Sequence, residues 1–266
     1  SRRRLRACLD RGYMVLVTGS KFFGGPAFSG ALLVPSALAL APQRGAGIAP
    51  GLSDYANRND WPQRWVALRS RFASRPNLGQ WLRWEAALEE IRGYYAVPDR
   101  WRALALREYR AGISDLIALS PSLRLAGMET GGAADDEEFA EATIFPFTLN
   151  REGHPLSAHE CRALYSALAQ DLSGVIDGGE ADRDIISRRC LVGQPVRIER
   201  QGREPTAVLR LCVGARFVTE TWSADAVVAQ RKLQGELDRA AEVVAKIELL
   251  LAHGGERGLT ELSNGS

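Results

Sequence analysis

Two short apolar runs near the start of the chain enclose a glycine-rich segment, and this arrangement restricts the fold more than any other feature. Residues 13–17 (YMVLV) and 31–34 (ALLV) have the length and apolar content of buried strands. The segment 18–30 (TGSKFFGGPAFSG) continues neither strand, because glycine and proline interrupt it. Its glycines allow another group to approach the backbone closely. We therefore predict a strand, a binding loop and a second strand.

The rest of the chain alternates helical and strand patterns, which predicts the α/β fold class. Ser157 and Glu160 form a capping box at the start of one predicted helix, and Ser223 is the predicted N-cap of the last helix. Helices are predicted over 80–95, 99–119, 156–172 and 223–252. Strands are predicted over 122–128, 141–149, 192–198 and 207–213, and a polar connector over 177–184.

This pattern predicts several domains within the chain. The boundaries are 1–75 for a first domain, 76–120 for connecting helices, 121–255 for a small α+β domain, and 256–266 for a tail.

Composition excludes several classes of protein. The chain has 266 residues, of which 45% are hydrophobic and 25% charged, as in a globular protein. A net charge of +2 gives no case for a nucleic acid or an acidic membrane as partner. The longest apolar stretch, 30–41, is interrupted by Pro35 and is too short to span a bilayer, which needs about 20 residues. The four cysteines lie far apart, so we expect no disulfide framework, no metal site and a cytoplasmic location.

Lysine is rare, and one lysine lies in the glycine-rich segment. Only Lys21, Lys232 and Lys246 are lysines among the 34 basic residues. A lysine amine can form a Schiff base, whereas a guanidinium cannot. Thr18 and Ser20 add hydroxyl groups suited to a phosphate, and burial of Lys21 beside two phenylalanines would lower its pKa. Together these features indicate a site for pyridoxal 5′-phosphate.

Two other interpretations of this segment stay open. It could be a glycine-rich turn that carries one solvated lysine. It could also be an NAD(P) site, because residues 15–19 (VLVTG) resemble the first strand and turn of short-chain dehydrogenases. That pattern needs glycine at positions 23 and 25, followed by a helix. Here Phe23 takes the place of one glycine, and Pro26 stands where the helix would begin.

The segment resembles the cofactor-lysine region of fold-type I pyridoxal-phosphate enzymes, above all the class V aminotransferase and cysteine desulfurase group. Residues 18–21 (TGSK), 24–26 (GGP) and 30–34 (GALLV) carry the resemblance. It implies that Lys21 holds the cofactor as a Schiff base and that Thr18 and Ser20 contact the cofactor. Ser20 stands where those enzymes usually have histidine.

A second match lies in residues 208–212 (VLRLC), just before the last predicted helix. In the family, an arginine in such a strand binds the substrate carboxylate, which implies that role for Arg210. The resemblance further implies a homodimer, an amino-acid-like substrate, and aminotransferase, lyase or desulfurase chemistry. A loop at 51–57 falls where related enzymes contact phosphate across the dimer.

The resemblance covers the C-terminal half of the family's fold. The first domain would be a remnant of the large domain, followed by the small domain. The aspartate that meets the pyridine nitrogen would lie upstream, so we expect this chain to be part of a larger enzyme and inactive alone. The alternative is a non-catalytic folded remnant or interaction module of the same ancestry.

Overall fold

The computed structural model describes residues 2–40, 48–127, 141–176, 179–200 and 203–253. Over these ranges the protein is a mixed α/β chain with open sheets, in agreement with the predicted α/β class. The chain forms two compact units. The first runs to Pro98 and also includes Gly214–Thr219, and the second contains Asp99–Val213 and the chain from Glu220 onward. The predicted tail at 256–266 lies outside the described residues.

The first unit is mainly helical and contains one pair of strands among its described residues. Its elements are α1 (Arg2–Asp10), β1 (Val15–Thr18), β2 (Gly30–Leu33), α2 (Ser36–Leu40), α3 (Leu52–Tyr55), a 3-10 turn (Arg58–Asp60), α4 (Val66–Arg69) and α5 (Leu78–Ala96). Gly12, with φ 85°, ends the turn between α1 and β1, a conformation that favours glycine.

Strands β1 and β2 confirm that the two apolar runs form strands, which pair antiparallel with each other. The prediction that these strands are buried is wrong, because neither strand contains a buried residue. Their register joins Val15 to Leu33 and Thr18 to Gly30. Exposure alternates along both strands, so one face is half-buried and the other faces solvent. Leu16 and Leu32, which are partners in this register, are 83% and 49% exposed. The solvent face of this small sheet is therefore apolar.

The second unit is built around a five-stranded antiparallel sheet in the order β3–β4–β7–β6, with the short β5 paired to β4. Its elements are α6 (Asp99–Leu119), β3 (Leu123–Leu125), β4 (Ile144–Arg151), β5 (His154–Pro155), α7 (Ala158–Leu168), α8 (Glu180–Ser187), β6 (Gly193–Arg200), β7 (Arg203–Cys212) and α10 (Ala226–His253). A short helix, α9 (Ala215–Thr221), begins in the first unit and ends in the second.

Alternation along β4 explains why helices cover one face of this sheet. Phe145, Phe147 and Leu149 are buried, whereas the residues that alternate with them are half-buried or, at Ile144, 51% exposed. A strand with this period presents one apolar face, and α7 packs against the neighbouring strands β6 and β7. The predicted capping box is confirmed, since Ser157 Oγ accepts from the Glu160 amide at 3.2 Å and Glu160 accepts from the Ser157 amide at 2.9 Å.

Two predictions in the second unit are wrong in detail. The predicted polar connector at 177–184 is wrong over its second half, because helix α8 begins at Glu180. This helix buries Ile186 and is too short to show helical periodicity in the sequence. Residues 177–178 lie outside the described residues. The last helix is capped by Asp225 rather than Ser223, because the Asp225 carboxylate accepts from the amides of Val227 and Val228 at 2.8 and 3.3 Å. The predicted connecting helices at 76–120 are α5 in the first unit and α6 in the second.

Lys246 of α10 is fully buried and joins two helix ends within the second unit. Its Nζ donates to the carbonyl oxygens of Leu168 at 3.2 Å, Gln170 at 2.7 Å and Arg188. Leu168 ends α7 and Arg188 is the C-cap of α8, so these carbonyls lack partners within their helices. An ammonium has three donors and matches three carbonyls. Burial lowers the pKa of Lys246, and Cys190 and Asp171 oppose that shift.

We predict that Lys246→Met lowers the free energy of unfolding by about 3 kcal/mol, because buried carbonyls lose their donor. The midpoint of urea unfolding, followed by helix circular dichroism, measures this change. The matched control is Lys232→Met, since Lys232 is exposed and its Nζ donates only to the Trp222 carbonyl at 3.3 Å in the described hydrogen bonds. Equal midpoints for the two variants would contradict a structural role for Lys246.

We also predict that the small sheet of β1 and β2 drives self-association. Its solvent face carries exposed apolar side chains, which favour association, and its strand edges can pair with further strands. Leu16→Lys should reduce the concentration-dependent association measured by analytical ultracentrifugation. Leu191→Lys is the control, since Leu191 is 84% exposed but belongs to the second unit. An equal effect of both substitutions would assign the association to general hydrophobicity instead.

Candidate functional site

The loop between β1 and β2, residues 19–29, contains Lys21 and is closed by its own backbone; we call it the lysine loop. The Gly19 amide donates to the Ser29 carbonyl at 2.8 Å, and the Gly25 amide donates to the Gly19 carbonyl at 2.9 Å. Ser29 is fully buried, and its hydroxyl donates to the Pro26 carbonyl at 2.8 Å. These bonds fold the loop back on itself and fix the position of Lys21 in the backbone.

The glycines of the lysine loop pack against helix α5. A Cβ at Gly19 would lie 2.5 Å from Ala87 Cβ, and a Cβ at Gly25 would lie 2.7 Å from the same atom. Real Cβ atoms do not approach so closely, so a side chain at either position would force the loop away from the helix. The close approach that the sequence indicated is therefore made by a helix of this chain.

The two phenylalanines of the loop also turn onto α5. Phe22 and Phe23 contact the buried ring of Tyr94, with centroids at 5.3 and 5.7 Å in edge-to-face geometry. Lys21 itself is exposed. The expectation that the phenylalanines bury Lys21 is wrong, because their rings pack on Tyr94 and on each other. The amine is thus presented to solvent on a loop whose other side is fixed.

Thr18 and Ser20 lie together beside Lys21. Their hydroxyl oxygens are 2.9 Å apart, and the Ser20 amide donates to Thr18 Oγ1 at 3.2 Å. Thr18 and Lys21 are exposed and Ser20 is half-buried, so all three side chains are at least partly accessible to solvent. Hydroxyl groups can donate hydrogen bonds to an anion. A primary amine can react with a carbonyl carbon.

Arg210 lies on β7 in the second unit, whereas the lysine loop belongs to the first. It is opposite Gly193 in the register, and a Cβ at Gly193 would lie 3.0 Å from Arg210 Cβ. Arg210 Nη2 donates to the Gln194 carbonyl at 3.2 Å. Its Nε is buried and has no hydrogen-bond partner. Buried donors are nearly always paired, so an unpaired Nε is unusual, although it is shared here by buried atoms of Arg58, Trp61 and Trp101.

The loop predicted to contact phosphate at 51–57 uses its last residue internally. Asn57 is 2% exposed and caps the 3-10 turn, since its side chain accepts from the Asn59 amide at 2.8 Å. Asp60 completes the capping box by accepting from the Asn57 amide at 2.8 Å. Ser53, Asp54 and Tyr55 are exposed, so these three side chains of the loop can meet another molecule.

Two charged residues near the lysine loop had no sequence signal. Arg216 Nε donates to Glu90 Oε1 at 2.8 Å, and Arg216 Nη2 donates to the Gly24 carbonyl at 3.4 Å. All three residues belong to the first unit. Arg216 and Glu90 are 126 positions apart in the chain, so no local spacing links them.

The thiols are poorly suited to nucleophilic chemistry. Burial raises the pKa of Cys161 to about 11, and its Sγ lies 3.8 Å from the Ala207 carbonyl. Burial also raises the pKa of Cys190 and of Cys212. A thiolate is the reactive form, so none of these three side chains is activated.

Neither a membrane-spanning helix nor a metal-binding group of side chains is present within the described ranges. Among those residues, no helix is both long enough and apolar enough to cross a membrane. No group of three or more His, Cys, Asp or Glu side chains in the same ranges could hold a metal ion.

Comparison with known proteins does not place the chain in a family. No family model matches it, and neither a curated protein nor a solved structure is significantly similar to it.

Proposed function

We propose that this chain is the lysine-bearing C-terminal part of a pyridoxal-phosphate-dependent enzyme that acts on an amino-acid-like substrate. The observation that carries the proposal is the lysine loop, in which the exposed Lys21 directly follows, in the chain, the hydrogen-bonded hydroxyls of Thr18 and Ser20. The resemblance of residues 18–34 to class V aminotransferases supports the same assignment.

The side chains present fit two parts of this cofactor. The Thr18 and Ser20 hydroxyls would donate to the phosphate, and the Ser20 amide already donates to Thr18 Oγ1 at 3.2 Å. Lys21 offers a primary amine for the aldehyde carbon. Bound pyridoxal phosphate supplies an electron-withdrawing ring that labilises bonds at the substrate α-carbon. We assign no described residue as the partner of the cofactor's pyridine nitrogen. We therefore expect this chain alone to bind pyridoxal phosphate weakly.

Lys21 has two duties in this proposal. Its amine would hold pyridoxal phosphate when that cofactor is bound. The same amine would be the group that accepts or donates a proton at the substrate α-carbon. A loop whose glycines and phenylalanines are fixed on α5 keeps the amine in one place for both duties.

Arg210 is proposed to bind the substrate carboxylate. Its Nη2 is held by the Gln194 carbonyl at 3.2 Å, and its Nε is a buried donor without a partner. A carboxylate accepting from Nε would satisfy that donor, and guanidinium–carboxylate pairs are strong and directional. The substrate would therefore be an acid with an amine, which agrees with amino-acid chemistry.

The geometry disfavours the NAD(P) alternative. A dinucleotide turn needs a helix after the first strand and then a parallel strand. Here the lysine loop follows β1, and β2 returns antiparallel. The second candidate function is a non-catalytic interaction module, which is favoured by the apolar solvent face at Leu16 and Leu32.

We predict that pyridoxal phosphate followed by borohydride labels Lys21 about tenfold more than Lys232, because the hydroxyl pair binds the phosphate. Peptide mass spectrometry measures the ratio, and buried Lys246 should stay unlabelled. The double variant Thr18→Ala/Ser20→Ala should reduce the ratio to about one. Pyridoxal without phosphate is the matched control and should show little preference for either exposed lysine. Equal labelling of Lys21 and Lys232 by the phosphate form would reject the cofactor assignment and leave the interaction module.

A separate prediction concerns Arg210. Its Nε–Hε resonance, assigned by its loss in Arg210→Lys, should shift during titration with L-alanine, because a carboxylate supplies the missing acceptor. Ethylamine, which has the amine without the carboxylate, should leave it unchanged. Arg197 is the reference resonance, since its Nε already pairs with Glu199 at 2.7 Å. If the Arg210 and Arg197 resonances shift alike, the carboxylate role is wrong.

A further inference from the structure

The segment Gly214–Thr219 packs on the lysine loop within the first unit. The Ala215 amide donates to the Phe22 carbonyl at 2.7 Å. A Cβ at Gly214 would lie 2.9 Å from that same carbonyl oxygen, so only glycine permits the contact. The residue next to Lys21 is thus tied to a segment that follows β7 in the chain.

Arg216, in the same segment, makes a second link. Its Nη2 donates to the Gly24 carbonyl at 3.4 Å, and a Cβ at Gly24 would lie 2.9 Å from Arg216 Nε. The guanidinium is held by Glu90, which accepts from both Nε and Nη2. Glu90 is 22% exposed and Arg216 is 59% exposed, so solvent screens this ion pair and its energy is modest.

Helix α5 supplies one side of this arrangement with regularly spaced residues. Ala87, Glu90 and Tyr94 recur at helical spacing and therefore share a face of α5. Ala87 meets the loop glycines, Tyr94 meets Phe22 and Phe23, and Glu90 holds Arg216. The loop is therefore fixed by α5 on one side and by Arg216 on the other.

We infer that Arg216, held by Glu90, is a positioning residue that fixes the lysine loop so that the Lys21 amine and the Thr18–Ser20 hydroxyls face one ligand. The inference rests on the proposed function for the identity of the ligand, pyridoxal phosphate. Arg216 acts through the Gly24 carbonyl and touches no reacting atom. Its removal should leave the amine accessible but change its position relative to the hydroxyls.

The first experiment tests loop fixation without the cofactor. Chymotrypsin cleavage after Phe22 and Phe23, which are half-buried, is compared with cleavage after Tyr55, which is 87% exposed and lies outside the lysine loop. Arg216→Ala should raise the ratio of the first to the second roughly threefold to tenfold, because a charge-assisted contact is lost. Arg92→Ala is the matched control. Arg92 also forms an ion pair, with Glu89 at 3.0 Å, and both residues lie on α5, the helix that contains Glu90. An unchanged ratio in Arg216→Ala overturns the inference whatever the cofactor result.

The second experiment separates positioning from mere stability. Borohydride trapping of pyridoxal phosphate on Lys21, relative to Lys232, should fall in Arg216→Ala and in Glu90→Gln. Trinitrobenzenesulfonate labelling of Lys21, which needs only an accessible amine, should stay at the wild-type level. Arg216→Lys keeps a cation for Glu90 and should restore part of the trapping.

The outcomes distinguish the two proposals. If wild-type protein shows no preference for Lys21, the proposed function fails, and the chymotrypsin ratio alone decides the loop inference. If wild-type protein does prefer Lys21 and Arg216→Ala keeps that preference, the positioning role is overturned. Parallel loss of trapping and of trinitrobenzenesulfonate labelling would also overturn it, because the variant would then have altered the amine itself.

Discussion

The contact between the glycines of the lysine loop and Ala87 of α5 determines much of the first unit. Because Gly19 and Gly25 have no Cβ, the loop lies directly on the helix. That approach places the phenylalanine rings on Tyr94 and leaves Lys21 on the outer side. A larger residue at 19 or 25 would overlap sterically with Ala87, and the favourable dispersion contacts between loop and helix would be lost. The position of the amine therefore depends on a packing constraint between two backbones.

Local sequence signals predicted the elements whose stability is local. The apolar runs at 13–17 and 31–34, the helix Asp99–Leu119 and the capping box at Ser157 depend on neighbouring residues, and each is present. Helix α8 was missed because it buries only one side chain, Ile186, among its residues. The sequence predicts Ser223 as the cap of the last helix, whereas Asp225 caps it. Both oxygens accept amides there, and either residue type can cap a helix.

The candidate site was only partly accessible from sequence, since its supporting contacts are distant along the chain. Lys21, Thr18 and Ser20 are close in sequence and could be grouped. Nothing local indicated that Ala87 would meet the loop glycines or that Glu90 would pair with Arg216. The burial of Lys21 was inferred wrongly because the sequence gives the phenylalanines but not the direction in which their rings pack.

The three lysines lie in different environments. Lys246 is buried against three carbonyls, and a larger guanidinium would not replace that compact ammonium without rearrangement. Lys232 is exposed. Lys21 is exposed beside two hydroxyls, and its neighbours rather than its rarity make it the candidate for chemistry. Scarcity directs attention to a residue, while its contacts determine its role.

The return of Gly214–Thr219 to the first unit also has a consequence for biosynthesis. Gly24 and Arg216 are 192 residues apart, so at ribosomal rates of about 5–20 residues per second their contact forms roughly 10–40 s after the loop is made. Until then the nascent loop has α5 as its support but not the arginine. The first unit is consequently completed late in synthesis, after the strands of the second unit have left the ribosome. A premature stop after β7 would produce a second sheet with all its strands and a lysine loop that never receives its final contact.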